Sequence, residues 1–242
     1  MTLLLLSGTG EAVAVARALA EEHRPVLASL AGATRSPKPL PVPTRVGGFD
    51  GEAGFWRCVQ DNDITAVLDA THPFAERITR RTARLCAERG MPYLRLDRPA
   101  WQPQPEDRWV MIQSEDQAAA HVGAGQVVFL ATGRQTLERF AGLAVAQVIA
   151  RVVDPPQSPF PFAGGRFEVG RPPFDVASEV ALFQRLKVDW LVVKNAGGSG
   201  GWAKLEAARA LGLPVLMLER PARPEAPVVE TVAAALGWVR AL

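Results

Sequence analysis

Leu3-Leu4-Leu5-Leu6 opens the chain as a short apolar run, breaks at Ser7-Gly8, and passes into a stretch at about 10–22 whose apolar positions recur every three or four residues. The two patterns then alternate. Short apolar runs stand at about 3–7, 26–30, 65–69, 92–96, 109–113, 126–132, 189–193 and 214–218. Amphipathic stretches of helical length stand at about 10–22, 74–89, 175–186 and 202–211. Runs this short, bounded by Gly and Pro, predict buried strands. Strands alternating with helices predict right-handed βαβ units and an α/β fold on parallel sheet.

The pattern also repeats at long range. Gly90-Met-Pro-Tyr-Leu-Arg-Leu-Asp-Arg98-Pro99 returns half a chain length later as Gly212-Leu-Pro-Val-Leu-Met-Leu-Glu-Arg220-Pro221, a shared GxPxLxLxRP frame with an acid before each arginine. Ala66-Val-Leu-Asp-Ala-Thr-His72 is matched by Trp190-Leu-Val-Val-Lys-Asn-Ala196, and Leu3 to Gly8 by Val128-Phe-Leu-Ala-Thr-Gly133. Three matches in one order predict two Rossmann-like parallel-sheet domains related by a pseudo-repeat, with a cleft between them. At about 150 residues per domain, a chain of 242 residues stands between one domain and two, and the repeat decides for two. The proline-rich stretch Arg98-Pro-Ala-Trp-Gln-Pro-Gln-Pro-Glu106 is the expected linker. Residues 1–100 then form the first, dinucleotide-binding domain and 101–242 the second, with the last helix able to pack back on the first. A second proline-rich stretch, Asp154-Pro-Pro-Gln-Ser-Pro-Phe-Pro161, reads as a long functional loop.

Composition removes several function classes. With 48% hydrophobic and 21% charged residues, the chain can bury a core and lacks the signature of disorder. Its 27 basic against 25 acidic residues are too balanced for a protein devoted to a nucleic-acid backbone. Cys58, Cys86, His23, His72 and His121 show no CxxC or HxxxH spacing, so neither a structural zinc site nor a disulfide scaffold is expected. The opening leucine run is too short for a membrane span and has no basic segment before it, so neither a signal peptide nor a span is expected and the cytoplasm is the expected location. Only Lys38, Lys187, Lys194 and Lys204 among the basic residues are lysines. That excess of arginine reflects either an arginine-rich genome or a site for carboxylates and phosphates, which the guanidinium fork suits.

In open parallel sheets, ligands lie beyond the carboxyl ends of the strands. After the first strand, Gly8-Thr9-Gly10 permits close approach of a phosphate to a helix N-terminus. Val13 stands where GxGxxG has its third glycine, so the fingerprint is partial and an ordinary strand-helix turn also satisfies it. The second strand ends Ser29-Leu-Ala-Gly32-Ala-Thr34-Arg35 with no acid, which favours NADP over NAD because no carboxylate repels a 2′-phosphate there and Ser29, Thr34 and Arg35 can bind one. After the third strand comes Asp69-Ala-Thr71-His72-Pro73. Pro73 keeps His72 out of helical conformation, which presents Thr71 and His72 at the strand's edge. His72 is a candidate for proton or substrate handling, or a capping residue; His23 and His121 read as solvated. In the second half, Lys194-Asn195-Ala-Gly197-Gly198-Ser-Gly-Gly201 suits an anion or forms a flexible loop, and it is no P-loop because Lys204 follows Ala203.

Together these residues resemble the precorrin-6A reductase family of corrin biosynthesis, including its cobalt-precorrin counterpart. The resemblance runs through Gly8-Thr9 with Glu11, Ser29 to Gly32, Arg45 with Gly47-Gly48-Phe49, Asp69-Ala-Thr-His-Pro-Phe-Ala75 and Arg98-Pro-Ala-Trp101. It continues through Thr132-Gly133-Arg134, Arg151 with Asp154, Pro173-Phe174 with Glu179, Lys194-Asn195 with Gly197-Gly198, and Lys204. Departures are Ala33 for an arginine, Ala196 for a serine, and Pro172 for a glycine. The resemblance implies an NADPH-dependent oxidoreductase that converts precorrin-6A to precorrin-6B, adding hydride at C19 and a proton at C18 of a polycarboxylate tetrapyrrole. It implies cofactor contacts at Gly8, Thr9, Gly10, Ser29, Gly32, Arg35, Thr71, His72, Pro73, Thr132, Gly133, Arg134, Asn195, Gly197 and Gly198. His72, Lys194 and solvent are the candidate proton donors, and the Lys194 loop takes either cofactor phosphates or substrate carboxylates. Neighbouring pathway enzymes are expected as transient partners. A two-domain nucleotide-sugar glycosyltransferase and a non-catalytic dinucleotide-binding module are the rivals, since fold does not fix function.

Overall fold

The computed structural model of the chain describes residues 1–32 and 39–242. They form two compact units, Met1–Pro99 with Pro221–Leu242, and Ala100–Arg220. The first unit contains β1 (Thr2–Leu6), β2 (Val26–Leu30), β3 (Thr44–Val46), β4 (Ile64–Asp69) and β5 (Tyr93–Leu96), with α1 (Gly10–Glu21), α2 (Gly51–Asp61) and α3 (Glu76–Glu88) between them. The second contains β6 (Trp109–Ile112), β7 (Val127–Leu130), β8 (Gln147–Val152), β9 (Gly165–Val169), α4 (Val176–Leu186), β10 (Trp190–Lys194), α5 (Ala203–Ala210) and β11 (Val215–Leu218). The chain then returns to the first unit as β12 (Val228–Val229) and α6 (Val232–Arg240).

Each unit holds one six-stranded sheet, ordered β12-β5-β4-β1-β2-β3 and β6-β11-β10-β7-β8-β9, and every pairing is parallel. The orders match position for position, which is the structural form of the sequence repeat. Both are doubly wound, with the direction of strand order reversing beside β1 in the first unit and β7 in the second. The outermost positions come from opposite ends of the chain: β6 precedes the second unit's other strands, whereas β12 follows all of them.

The leucine run shows why β1 is central. Leu3 and Leu5 face one side, packing with Val15, Leu19, Leu236 and Val239. Leu4 and Leu6 face the other, with Phe55, Val67 and Leu85. Helices cover both faces, so the strand is apolar throughout rather than alternating.

The sequence reading left several elements unassigned. β3 and β9 are edge strands with exposed or half-buried residues, and they present no apolar run. Only Phe55 and Val59 of α2 are buried. Residues Glu115–Ala120 and Leu137–Leu143 are 3-10 turns where α-helical crossovers are the usual form. The grouping of 101–242 into one domain is corrected: Pro221–Leu242 belongs with the first unit. There Val228 pairs with Arg95, and Ala235, Leu236 and Val239 of α6 join the core of β1 and α1.

Ending the chain at Arg220 should therefore unfold the first unit. Leu236 and Val239 at 1.5–3 kcal/mol per large apolar group, with Ala235 and one strand, amount to roughly 5 kcal/mol, comparable with the whole stability of a domain. Limited proteolysis of the truncated chain is expected to cut residues 1–99 while sparing 100–220. An intact first unit would contradict this account.

Candidate active site at the strand ends

In the first unit, three strand ends lie level: Leu6 pairs with Ser29 on one side and Asp69 on the other. The Ser7 amide donates to the Ser29 carbonyl at 2.9 Å and the Ala70 amide to the Leu6 carbonyl at 2.9 Å. Thr9 is the N-cap of α1. Its hydroxyl accepts from the Ala12 amide at 3.1 Å and donates to the Ala70 carbonyl at 2.8 Å, tying the helix start to the end of β4. Gly8 lies against the loop that follows β4, where a Cβ would come within 3.8 Å of the His72 amide nitrogen and 3.9 Å of the Thr71 Cα. A Cβ on Gly10, the first residue of α1, would meet open space. Glu11, in the same helical turn, is ion-paired with Arg98.

The loop after β4 is held by a buried polar cluster that the sequence reading did not identify. Asp69 is fully buried. Its Oδ1 accepts from the Thr71 amide at 3.0 Å and the Thr71 hydroxyl at 2.7 Å, while Oδ2 accepts from the Tyr93 hydroxyl at 2.9 Å and Arg95 Nη1 at 3.0 Å. Arg95 is itself 2% exposed and also donates to the Thr79 hydroxyl at 2.9 Å. Asp97, buried, lies 3.9 Å from Arg95 Nε and 2.8 Å from Arg223 Nε. Burial and the adjacent Asp69 charge push the Tyr93 hydroxyl far above its ordinary range, so it stays a donor. These partners stand 24 and 26 residues from Asp69, brought beside it by the β4–β5 register that pairs Asp69 with Arg95.

Thr71 therefore acts inward, its hydroxyl committed to Asp69. His72 is half-buried and Pro73 buried. The Phe74 amide donates to His72 Nδ1 at 3.2 Å, and the Ala75 amide to the His72 carbonyl at 2.8 Å. With Nδ1 accepting, a neutral imidazole carries its proton on Nε2. At the end of β2, the Ser29 hydroxyl accepts from Arg45 Nη1 at 2.8 Å. Gly32 has a φ of +75° and backs onto Val46. Arg35 lies outside the described residues.

The second unit repeats the layout with different fastenings. Thr132, just beyond β7, is buried, and its hydroxyl has no hydrogen-bond partner among the described residues. Gly133 adopts a φ of +78° and Arg134 is exposed. The glycine loop after β10 is staked by Trp101: the Asn195 carboxamide accepts from the Trp101 amide at 2.8 Å and donates to its carbonyl at 3.1 Å, and the Trp101 indole donates to the Gly198 carbonyl at 2.7 Å. Arg220 donates to the carbonyls of Asn195 and Ala196 at 2.8 and 3.1 Å. The Asn195 side chain is thus a structural brace, and Gly197 and Gly198 take positive φ to complete the turn. Arg151 forks onto Glu179 at 2.5 and 2.8 Å over the ring of Phe174.

Burial lowers the pKa of Lys194, with Glu115 pulling the other way and Arg139 adding to the fall. Lys204 donates to the Gly201 carbonyl at 2.7 Å, and burial lowers it to about 8. Cys86 is buried, and desolvation pushes its thiol up to about 12, which makes it a poor nucleophile at neutral pH. Among the described residues, no group of three His, Cys, Asp or Glu is placed to hold a metal ion, and no helix is long and apolar enough to cross a membrane.

A family model described as precorrin-6x reductase CbiJ/CobK matches residues 2–240. A precorrin-6A reductase of Rhodococcus erythropolis is 43% identical, covering 99% of this chain and 98% of its own. One from Rhodobacter capsulatus is 39% identical over 98% and 95%. A cobalt-precorrin-6A reductase of Methanothermobacter thermautotrophicus is 29% identical over 91% and 77%. A solved structure described as CobK precorrin-6A reductase superposes with a TM-score of 0.94 at 38% identity, covering 100% of this chain and 96% of that one.

Removing one partner of a buried ion pair strands the other charge, at about 3–5 kcal/mol. Asp69→Leu should cost that much in urea denaturation, whereas Tyr93→Phe, which deletes one donor to a charged acceptor, should cost about 1.5–3 kcal/mol. A loss below about 1 kcal/mol for Asp69→Leu would show that the cluster does not hold the loop.

Proposed function

The chain belongs to the precorrin-6x reductase CbiJ/CobK family, and we propose on that premise that it reduces precorrin-6A to precorrin-6B in cobalamin biosynthesis with NADPH. The family match along nearly the whole chain carries this reading and sets aside a glycosyltransferase. The greater identity to precorrin-6A reductases than to the cobalt-precorrin enzyme favours the metal-free macrocycle.

The first unit fits a dinucleotide. Gly8 brings backbone close to the β4 loop, Gly10 leaves space at the positive end of α1, and Thr9 fixes that helix start. Glu11 would repel a phosphate there, and its pairing with Arg98 offsets the charge. Gly8, Thr9 and Gly10 would hold the pyrophosphate, Ser29 and Gly32 the adenosine ribose, and Thr71-His72-Pro73 would border the nicotinamide. When bound, the reduced cofactor supplies the hydride that adds at C19, while C18 takes a proton. The protein's part is placement, exclusion of water and proton supply.

His72 fits a positioning role better than an acid role. Its Nδ1 accepts the Phe74 amide, so protonating that nitrogen would break the bond, and Nε2–H is the donor that this arrangement leaves. Lys194 is the better acid, because desolvation brings its ammonium toward neutrality. Thr132, with its unpartnered hydroxyl, Gly133, Gly197 and Gly198 would receive anionic groups, and Arg134 offers an exposed guanidinium for a substrate carboxylate.

NADPH oxidation, followed spectroscopically, should proceed with metal-free precorrin-6A and more slowly with its cobalt form. Oxidation with neither, despite tight NADPH binding, would instead support a non-catalytic module. An acid must be protonated to act, so kcat should fall as pH rises through the lowered Lys194 pKa, below its ordinary 10.5. Lys194→Met should remove that basic limb, and His72→Ala should lower kcat about 10- to 100-fold without changing the profile's shape. A basic limb that survives Lys194→Met would exclude Lys194 as the donor.

A further inference from the structure

Arg45 stands in register with Ser29 on the adjacent strand, at the β2 end where doubly wound nucleotide-binding folds read the adenosine ribose. Its guanidinium is held from three sides: Nη1 donates to the Ser29 hydroxyl at 2.8 Å and the Gly47 carbonyl at 3.1 Å, and Nη2 donates to the Gly48 carbonyl at 2.5 Å. A fourth restraint is the buried Phe49 ring, whose centroid lies 4.1 Å from the guanidinium carbon. All of these partners are electrically neutral. Among the described residues no carboxylate is paired with Arg45, and the sequence of residues 33–38, Ala-Thr-Arg-Ser-Pro-Lys, contains no acid.

A guanidinium has five N–H donors, so three bonds to neutral acceptors leave two unused, one of them on Nε. A surface arginine kept only for solubility has no need of a strand partner, two glycine carbonyls and an aromatic shelf. The side chain is half-buried, immobilised, and carries an uncompensated positive charge at a point where the fold brings ribose. We propose that Arg45 is the residue that selects the phosphorylated dinucleotide, its free donors binding the 2′-phosphate of the adenosine ribose. Ser29, besides lying at the ribose, orients through its hydroxyl the guanidinium that binds the phosphate. The inference rests on the nicotinamide reading above and adds to it a specificity residue. Gly47 and Gly48 supply acceptors through their backbones, and Gly47 has a φ of +114°, a conformation that L side chains rarely adopt.

Binding isotherms of the full chain with adenosine 2′,5′-bisphosphate and with adenosine 5′-phosphate test this independently of turnover. Arg45→Met should weaken the bisphosphate about 10- to 100-fold, the usual range for losing charge-assisted hydrogen bonds, while changing adenosine 5′-phosphate less than about 2-fold. Arg45→Lys, which keeps the charge and loses the fork, should fall between wild type and Arg45→Met. Should Arg45→Met fail to fold, Arg45→Gln, which keeps a polar side chain and removes the charge, serves as the second variant, with its loss confined to the bisphosphate. Equal weakening of both ligands would make Arg45 a purely structural brace and overturn the assignment, as would an unchanged bisphosphate affinity. A wild-type chain that bound NADPH without preferring it to NADH would overturn the assignment and leave the reductase reading standing. A chain that bound neither dinucleotide would overturn both.

Discussion

A carboxylate with no solvent exposure is tolerable only when its charge is answered, and Asp69 is answered by one cation and three further donors. The first unit's candidate site follows from that arrangement. Asp69 is the last residue of β4, so the donors that neutralise it also decide where the chain goes next: the Thr71 amide and hydroxyl turn back onto Oδ1, and the His72 backbone then passes beside Gly8. Replacing the pair by apolar residues of similar volume could leave stability unchanged or raise it. What such a replacement cannot supply is the fixed direction of the loop, and direction is what a cofactor site requires.

The repeat makes the comparison internal. Val193 stands in the second unit where Asp69 stands in the first, and Met217 where Arg95 stands, the two again paired across adjacent strands. Those changes remove the ionic pin, and the loop after β10 is fastened from outside the strand by Trp101 and Arg220. The arginines that close the two GxPxLxLxRP frames show the same divergence. Arg98 pairs with the Glu11 carboxylate, whereas Arg220 binds backbone carbonyls. One scaffold thus carries two chemistries: an anchored loop bearing an imidazole in the first unit, and a glycine loop beside a desolvated lysine in the second.

How much of this could be read from sequence depended on whether the deciding contacts were local. The Leu3–Leu6 strand was legible because burial on both faces leaves a continuous apolar run. The turn at Gly8-Thr9 was legible because capping is a contact between residues three apart. The Asp69 cluster was not. In Tyr93-Leu-Arg-Leu96, strict alternation assigns Arg95 to a solvent-facing position, yet the register of β4 against β5 buries it opposite a carboxylate. Alternation does not specify register between distant strands. The bracing by Asn195 was not legible for a related reason: its carboxamide is matched to the backbone of Trp101, a partner in the expected linker. Arg45 went without an assigned role because β3 is three residues long with no apolar run, so nothing marked it as lying beside Ser29.

Connectivity explains the remaining misreading and has a physical consequence. Period and punctuation locate a boundary near residue 100, but they give no sign that β12 returns past the whole second unit to lie beside β5. The pairing of Val228 with Arg95 closes a loop longer than the entire second unit, and loop-closure entropy must be met before that contact stabilises anything. The second unit has no such debt, since Ala100–Arg220 contains all six of its strands. During synthesis the second unit can therefore complete its sheet while the first still lacks an edge strand and one of the two helices that cover Leu3 and Leu5. Exposed strand edges and apolar faces are the surfaces through which folding intermediates associate. The Asp69–Arg95 pair lies on the strands that wait, with β5 open on its outer side until β12 arrives, so the fixed geometry of the candidate cofactor loop is a property only the finished chain acquires.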